Sequence, residues 1–276
     1  MSNNVKNVLS IAGSDPSGGA GIQADLKTFA ANGVYGMAAI TALTVQNTVG
    51  VQGIHLVPAK FVSSQIEAIF SDIAVSSVKV GMVGNAEIAE GVGTTLAKYR
   101  NLISVVDPVM VAKGGSPLLD KKAIQAVKDN LIPLATIVTP NLPEAAILLG
   151  SSIAKSEEDM IYQGKALLNL GSKSILMKGG HSEGITSNDL LVTENNYVWF
   201  KEKRINTKNT HGTGCTLSSS IASFLAKDFS VEESVSKAKK FVTNAIRNSK
   251  TLSVGKGHGP TNHFYALEGS NKITGE

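Results

Sequence analysis

The stretch VLSIAGSDPSGGAGIQADLKTFAA, residues 8–31, predicts the fold because it contains a strand, a glycine-rich loop and a helix in succession. Residues 8–12 form a short apolar run that Gly13 ends, as is typical of a buried strand. Between residues 20 and 31 the apolar side chains recur at helical spacing, at Ile22, Leu26, Phe29 and Ala30. A strand followed directly by a helix is the unit of a parallel sheet.

The same alternation continues for most of the chain. Further apolar runs of strand length lie at 38–45, 51–56, 78–82, 103–106, 136–139, 174–178, 190–193 and 197–200. Helical patterns lie at 58–70, 86–99, 121–130, 157–170, 216–226 and 231–248. Strands that alternate with helices predict an α/β fold in three layers, with a mainly parallel central sheet and helices on both faces. We expect one domain over residues 1–266 and a polar, flexible tail over 267–276.

Composition narrows the class of protein. The chain has 276 residues, 42% of them hydrophobic, and a net charge of +4. No apolar run approaches the roughly 20 residues that cross a bilayer, and the N-terminus lacks a signal-peptide pattern. With one cysteine a disulfide framework is excluded, so we expect a cytoplasmic protein. The basic residues of 237–250 alternate with apolar ones at helical spacing, which favours a solvated helix face over a nucleic-acid site.

Polar side chains follow several of the predicted strands directly. Asp15, Gln46, Asp107, Asn141 and Lys178 each stand at or just beyond the end of an apolar run. In an open parallel sheet, ligands bind beyond the carboxyl ends of the strands. Although one polar residue after a strand is usually a turn former, the recurrence predicts that these groups meet along one edge of the sheet.

The run from Thr210 to Thr216, Thr-His-Gly-Thr-Gly-Cys-Thr, places the single cysteine in a glycine-rich turn before a helix. The two glycines let backbone N–H groups converge, and the helix dipole adds to their attraction for an anion. This turn is therefore a candidate cradle for a transferring phosphoryl group. A buried structural cysteine in an ordinary turn is the alternative.

Glycines and carboxylates elsewhere supply further candidates. Gly13 and Gly21 border the first loop, where the backbone can approach a small substrate, and Asp25 follows one turn into the helix. The loop is too long for a dinucleotide fingerprint. Asp107 and Glu144 are carboxylates placed after neighbouring strands, as suits Mg²⁺ bound to nucleotide phosphates. Each carboxylate also has a structural alternative. Asp25 and Glu144 could be acids that stabilise the N-terminus of a helix, and Asp107 could form the turn before Pro108.

Several motifs in order resemble one known family, the hydroxymethylpyrimidine/phosphomethylpyrimidine kinases of thiamine biosynthesis, in the ribokinase superfamily. The resemblance extends from about residue 8 to about residue 264. The motifs that carry it lie at residues 13–27, 46–48, 79–82, 107–110, 139–144, 178–181, 211–216 and 257–260. The resemblance implies a ribokinase-like fold, a homodimer, and phosphorylation of 4-amino-5-hydroxymethyl-2-methylpyrimidine and then of its monophosphate, with ATP and Mg²⁺.

The resemblance also implies roles for individual residues. Gln46, Asp25, Met82 and Val109 would line the pyrimidine pocket. Asp107 and Glu144 would serve Mg²⁺ and the nucleotide phosphates, with Asn141 and Lys178 nearby. The anion hole for the developing charge would consist of Gly212, Thr213 and Gly214.

Cys215 marks a departure from the superfamily's sugar kinases, which have Asp at this position, whereas the pyrimidine kinases have Cys. A thiol at a helix N-terminus can have a lowered pKa and accept the proton of the substrate hydroxyl as a thiolate. Two alternatives stay open at this point. The chain could be a pyridoxine/pyridoxal kinase on the same frame, or a non-catalytic protein that binds a nucleotide or pyridoxal phosphate.

Overall fold

The protein is described by a computed structural model that covers residues 4–110, 119–181 and 184–267. The polar tail expected after residue 267 lies outside the described residues. Within them, nine strands form one sheet: β1 (Asn7–Ser14), β2 (Tyr35–Asn47), β3 (Gly50–Leu56), β4 (Ser77–Val80), β5 (Ser104–Val106), β6 (Ile137–Val138), β7 (Ser174–Met177), β8 (Asp189–Thr193) and β9 (Tyr197–Phe200).

The helices of this part of the chain follow the strands in the expected alternation. They are α1 (Gly21–Ala31), α2 (Ala59–Asp72), α3 (Ala86–Leu96), α4 (Lys121–Asn130), α5 (Leu142–Leu149), α6 (Glu157–Leu168), α7 (Thr213–Ala226) and α8 (Val231–Arg247). None of the described helices is both long enough and apolar enough to span a bilayer.

The strands lie in the order β3-β2-β1-β4-β5-β6-β7-β8-β9. From β2 to β7 neighbouring strands run parallel, whereas β3, β8 and β9 join the two edges in antiparallel fashion. This arrangement confirms the predicted α/β class and the mainly parallel sheet. It also places the carboxyl ends of the six parallel strands side by side, where the polar side chains were expected to meet.

Two apolar cores cover the two faces of the sheet. Helices α2 to α6 pack on one face, and α1, α7 and α8 pack on the other. Successive residues of a buried strand point to opposite faces, so that Val105 of β5 belongs to one core and Val106 to the other. The three layers predicted from the sequence are therefore confirmed.

Two helices differ from the sequence prediction. α5 has eight residues and was predicted only through the alternative reading of Glu144 as a helix N-terminal acid, because nearly all its side chains are apolar and show no helical period. α7 begins at Thr213 and not at residue 216, because Gly212 adopts a left-handed conformation, with φ of 77°, as its N-cap. The glycine turn therefore supplies the first turn of the helix.

Candidate active site

A cavity of about 890 Å³ opens at the carboxyl ends of the parallel strands. Its walls include the predicted residues at the ends of strands, Asp15, Gln46, Asp107, Asn141 and Lys178. The expectation that these groups meet along one edge of the sheet is thus confirmed.

The cavity wall also includes Gly13, Gly21, Gln46, Met82 and Val109, all named from the sequence. The ladder between β2 and β3 is irregular between Val45 and Gln46, a bulge of the kind that redirects a side chain. Thr44 Oγ1 donates to Gln46 Oε1 at 3.1 Å. A β-carbon on Gly13 would lie 2.5 Å from Met82 Cε, so the glycine leaves room for the thioether.

Asp25 lies beneath this cavity and is not part of its wall, which corrects the expectation that it lines the pocket. Its carboxylate is fully buried and accepts hydrogen bonds of 2.6 Å from Ser10 Oγ and Ser219 Oγ. It also forms an ion pair of 2.9 Å with Lys79, which is fully buried in β4. The physical reason is the position of Asp25 on the face of α1 that packs on the sheet.

Lys79 lies in the cavity floor and is a functional candidate that the sequence analysis did not single out by itself. Burial alone would lower the pKa of this ammonium, but the charge and hydrogen bond of Asp25, together with the charges of Cys215 and Asp107, raise the pKa. A lysine between Val78 and Val80, inside an apolar strand, was the available signal.

Asp107, Lys178 and Glu144 form a charged cluster in the cavity wall. Lys178 Nζ lies 2.7 Å from Asp107 Oδ1 and 3.8 Å from Glu144 Oε2. Although burial alone would raise the pKa of Asp107, Lys178 and Lys79 hold it below its usual value. Burial raises the pKa of Glu144 to about 7, against the opposing charge of Lys178. For Lys178, burial is outweighed by Asp107 and Glu144, which raise the pKa to about 12.

Glu144 also takes part in a capping box at the start of α5. Its Oε2 accepts the Asn141 backbone N–H at 2.8 Å, and Asn141 Oδ1 accepts the Glu144 N–H at 2.8 Å. The structural alternative weighed for Glu144 is therefore present, and the same carboxylate lies at the cavity. The cap fixes the carboxylate in place next to Lys178.

The turn Gly212–Gly214 and Cys215 line the cavity beside this cluster. Thr213, Gly214 and Cys215 are the first helical residues of α7, and helix N-termini present backbone N–H groups that have no intrahelical partner. A β-carbon on Gly214 would lie 3.5 Å from Lys178 Nζ and 3.6 Å from Asp107 Oδ2. The candidate anion hole therefore adjoins the Lys178 ammonium.

The thiol of Cys215 has a raised pKa, contrary to the lowering expected at a helix N-terminus. Burial raises it to about 11, and the charges of Asp25 and Asp107 act in the same direction. Lys79 and the backbone hydrogen bond from Gly21 oppose this rise but do not overcome it. In the free protein the thiol is thus protonated at neutral pH.

The segment 202–207 supplies cavity residues that the sequence analysis missed, among them Arg204 and Ile205. The Arg204 guanidinium donates to the backbone carbonyls of Gly180, Gly184 and Thr186 at 2.8, 2.9 and 3.0 Å. The signal for this segment was the basic group that directly follows β9.

Known proteins are similar in sequence to this chain over most of its length. The profile of the phosphomethylpyrimidine kinase family matches residues 15–262. A hydroxymethylpyrimidine/phosphomethylpyrimidine kinase from Salmonella typhimurium is 48% identical over 94% of this chain and 98% of its own length. The enzyme of that name from Escherichia coli is 46% identical with the same coverage.

Solved structures give the same result. A phosphomethylpyrimidine kinase from Clostridium difficile superposes with a TM-score of 0.78 and 45% identity, covering 87% of this chain and 99% of the other. A pyridoxal kinase from Staphylococcus aureus in complex with ADP gives a TM-score of 0.88 at 34% identity, covering 98% and 96%. Sequence and fold therefore agree that this chain belongs to the phosphomethylpyrimidine kinase family.

Proposed function

We propose that this chain transfers the γ-phosphoryl group of ATP to 4-amino-5-hydroxymethyl-2-methylpyrimidine, and then to the resulting monophosphate, in thiamine biosynthesis. One observation carries the proposal. A single cavity is lined both by Gln46, Met82 and Val109 and by the Lys178 cluster with the Gly212–Gly214 turn. A small amide-reading pocket beside an anion site suits transfer of a phosphoryl group to a small heteroaromatic alcohol.

The pyrimidine lies against Gln46 in this proposal. One side-chain amide can both donate to a ring nitrogen and accept from an exocyclic amine. The Met82 thioether and Val109 supply apolar contacts for the ring. The backbone next to Gly13 and Gly21 can approach the substrate closely because neither residue carries a β-carbon.

Transfer itself relies on charge stabilisation and on one proton acceptor. The Gly212–Gly214 turn stabilises the negative charge that develops on the phosphoryl group, chiefly through the Gly214 N–H, since the Thr213 N–H donates to the Thr210 carbonyl at 3.4 Å. Lys178 neutralises nucleotide phosphate. The substrate hydroxyl gives its proton to the Cys215 Sγ in the thiolate form, its oxygen bonds to phosphorus, and ADP leaves. Lys79 favours that thiolate, and burial disfavours it.

Mg²⁺ is part of the proposal, and the residues present fit it. Among the described residues, no three acidic, histidine or cysteine side chains come together as a metal cage. Mg²⁺ is commonly held by one or two carboxylates together with substrate phosphates, and Asp107 and Glu144 supply two. When bound, the ion would neutralise charge on the nucleotide phosphates.

The experiment is direct. Purified protein is incubated with ATP, Mg²⁺ and the hydroxymethylpyrimidine, and the mono- and diphosphate are detected by mass. Their absence with folded protein refutes the assignment. Pyridoxine and pyridoxal are tested in parallel, because pyridoxal kinases superpose closely on this fold at 34% identity. Faster turnover of these substrates would favour the pyridoxal kinase alternative, and binding without turnover would favour a non-catalytic role.

A homodimer is also proposed. Leu43 and Val45 of β2 are 47% and 61% exposed and lie on the same face of the β2–β3 ladder. They pair across the ladder with His55 and Gly53 of β3. A second copy covering this face would remove both apolar side chains from water. Sedimentation of the wild type and of Val45→Lys tests this. We expect the variant to be monomeric, and a monomeric wild type would contradict the proposal.

A further inference from the structure

The two glycine-rich turns of the cavity, residues 13–21 and 210–214, are joined by one pair of buried side chains. His211 Nε2 lies 2.8 Å from Asp15 Oδ2. Asp15 is 2% exposed and His211 8% exposed. Neither residue has a part in the reaction as described so far, although both line the cavity.

The oxygens of Asp15 are otherwise occupied by its own loop. Oδ1 accepts the Ser17 backbone N–H at 2.9 Å and the Ser17 hydroxyl at 2.7 Å. Oδ2 accepts the backbone N–H groups of Gly19 at 3.2 Å and Ala20 at 2.8 Å. A carboxylate with this many donors is a poor metal ligand or base, because either task would break the loop's hydrogen bonds. Its role is therefore to shape the loop and to hold His211.

His211 is fixed from its backbone as well as from its ring. Its N–H donates to the Gly259 carbonyl at 3.0 Å, and the residue pairs with Pro260 of the C-terminal segment. The next residue, Gly212, is the N-cap of α7. The imidazole is thus held on the residue directly before the N-cap of α7.

The two turns are in close contact and leave no space for side chains at their glycines. A β-carbon on Gly19 would overlap the His211 ring, and a β-carbon on Gly212 would overlap the Gly19 carbonyl oxygen. On the other side of the contact, the Gly21 backbone N–H is directed to the Cys215 sulfur. The turn at residues 13–21, called the substrate loop below, and the anion hole at Gly212–Gly214 therefore pack against each other, with the Asp15–His211 pair between them.

We propose that Asp15 and His211 are positioning residues for phosphoryl transfer, which hold the Gly212–Gly214 turn in register with the substrate loop. The proposal rests on the function proposed above. In this role the pair acts through the N–H groups of the turn and not on the substrate. Its loss should lower kcat while leaving the KM for the pyrimidine nearly unchanged.

Three variants distinguish a positioning role of His211 from direct participation of its imidazole ring in the reaction. In His211→Ala we expect kcat to fall by roughly 10²-fold, the size of effect that a small misplacement can produce. In His211→Gln the amide can still donate to Asp15 but cannot take up a proton, so most of kcat should return with an unchanged pH profile. His258→Gln is the matched control, since His258 is exposed in the nearby C-terminal segment. It should behave like the wild type.

A second readout does not depend on turnover. Backbone amide hydrogen exchange at residues 212–215 of the free protein should be faster in His211→Ala and restored in His211→Gln. If the wild type does not phosphorylate the pyrimidine, the proposed function fails, and the exchange result still decides the positioning role. If His211→Ala does not fold, Asp15→Asn replaces it, because it keeps the size of the side chain.

Two results would overturn the proposal. If folded His211→Gln is as slow as His211→Ala, the imidazole takes part in the chemistry itself. If His211→Ala keeps wild-type kcat and wild-type protection at residues 212–215, the pair has no positioning role.

Discussion

Cys215 is the residue on which the proposed proton transfer depends. Cys215→Ala should leave nucleotide binding nearly intact while kcat falls by roughly the 10²–10⁴-fold typical of general-base loss. Cys215→Asp should keep part of the activity, because a carboxylate can also accept the proton. Calorimetry with ADP and steady-state kinetics provide the two measurements. Near wild-type turnover in Cys215→Ala, with chemistry rate-limiting, would make the thiol a packing residue.

The raised pKa of Cys215 predicts a pH dependence of the same step. With a pKa of about 11, the thiolate fraction is small at neutral pH and increases as the pH rises toward that value. If the thiolate is the base, kcat of the wild type should increase across the neutral to alkaline range. The Cys215→Asp variant, whose carboxylate ionises in acid, should lose this increase. A flat profile in the wild type would contradict the assignment.

Gln46 is the residue proposed to read the pyrimidine edge. Gln46→Ala should weaken binding of the pyrimidine by about 1–3 kcal/mol, because polar groups of the ring are left unpaired. Gln125→Ala, in an exposed side chain that bonds Asp129 within α4, serves as the control. Binding is measured calorimetrically with the non-phosphorylated substrate. An unchanged dissociation constant for Gln46→Ala would refute the role.

Single residues show what the sequence could and could not predict about the site. The polar groups at strand ends were predictable, since parallel strands bring their carboxyl ends together. The burial of Asp25 was not, because the direction of one helical side chain depends on how α1 packs on the sheet. The pKa of Cys215 also depends on tertiary burial, which outweighs the local effect of the helix N-terminus.

At the scale of elements, the contact between the two glycine turns can be tested by one methyl group. Gly212 has φ of 77° and lacks space for a β-carbon, whereas Gly150 has φ of 64° with no atom within 4 Å of that position. Gly150→Ala should therefore cost only the backbone strain, about 1 kcal/mol. Gly212→Ala should cost more and also lower kcat, because the turn must shift away from Gly19.

Thermal unfolding and kcat of both glycine variants are the measurements. Equal losses of stability, with wild-type kcat in both, would show that the turns are not in critical contact. The start of α7 shows why this contact was missing from the sequence prediction. A Gly-Thr-Gly run reads as a loop, and only its packing against Gly19 and the Asp15–His211 pair fixes it as a helical turn.

For the whole molecule, Glu144 links stability to pH. Its pKa rises from 4.5 to about 7 in the folded state, so the fold favours the protonated form. The stabilisation that protonated Glu144 gives the fold is complete below the pKa of the unfolded chain, 4.5, and is lost as the pH rises through about 7. Relative to Glu144→Gln, the wild type should lose about 3 kcal/mol of stability over that range, as expected for a shift of this size.

Urea unfolding of both proteins in metal-free buffer at several pH values tests this prediction. Gln can replace Glu in a capping box, so the variant should keep α5. A stability difference that does not change with pH would contradict it. The three layers and the mainly parallel sheet were predictable because strand and helix periodicities alternate along the chain, whereas the strand order was not predicted. The antiparallel pairing of β8 with β9 had a signal that the sequence analysis did not use, because the three residues between them are too few for a parallel crossover.

The lone thiol in the cavity has a practical consequence. Because the chain has one cysteine, a reagent attached to Cys215 would report on the cavity with no background from other sites. Its high pKa makes general alkylating agents slow, so selectivity would come from an electrophile carried on the aminopyrimidine itself. Such a compound would reach the sulfur through the binding pocket, and occupancy could be followed by intact mass. Labelling of Cys215 would thus measure the concentration of binding-competent sites in a preparation.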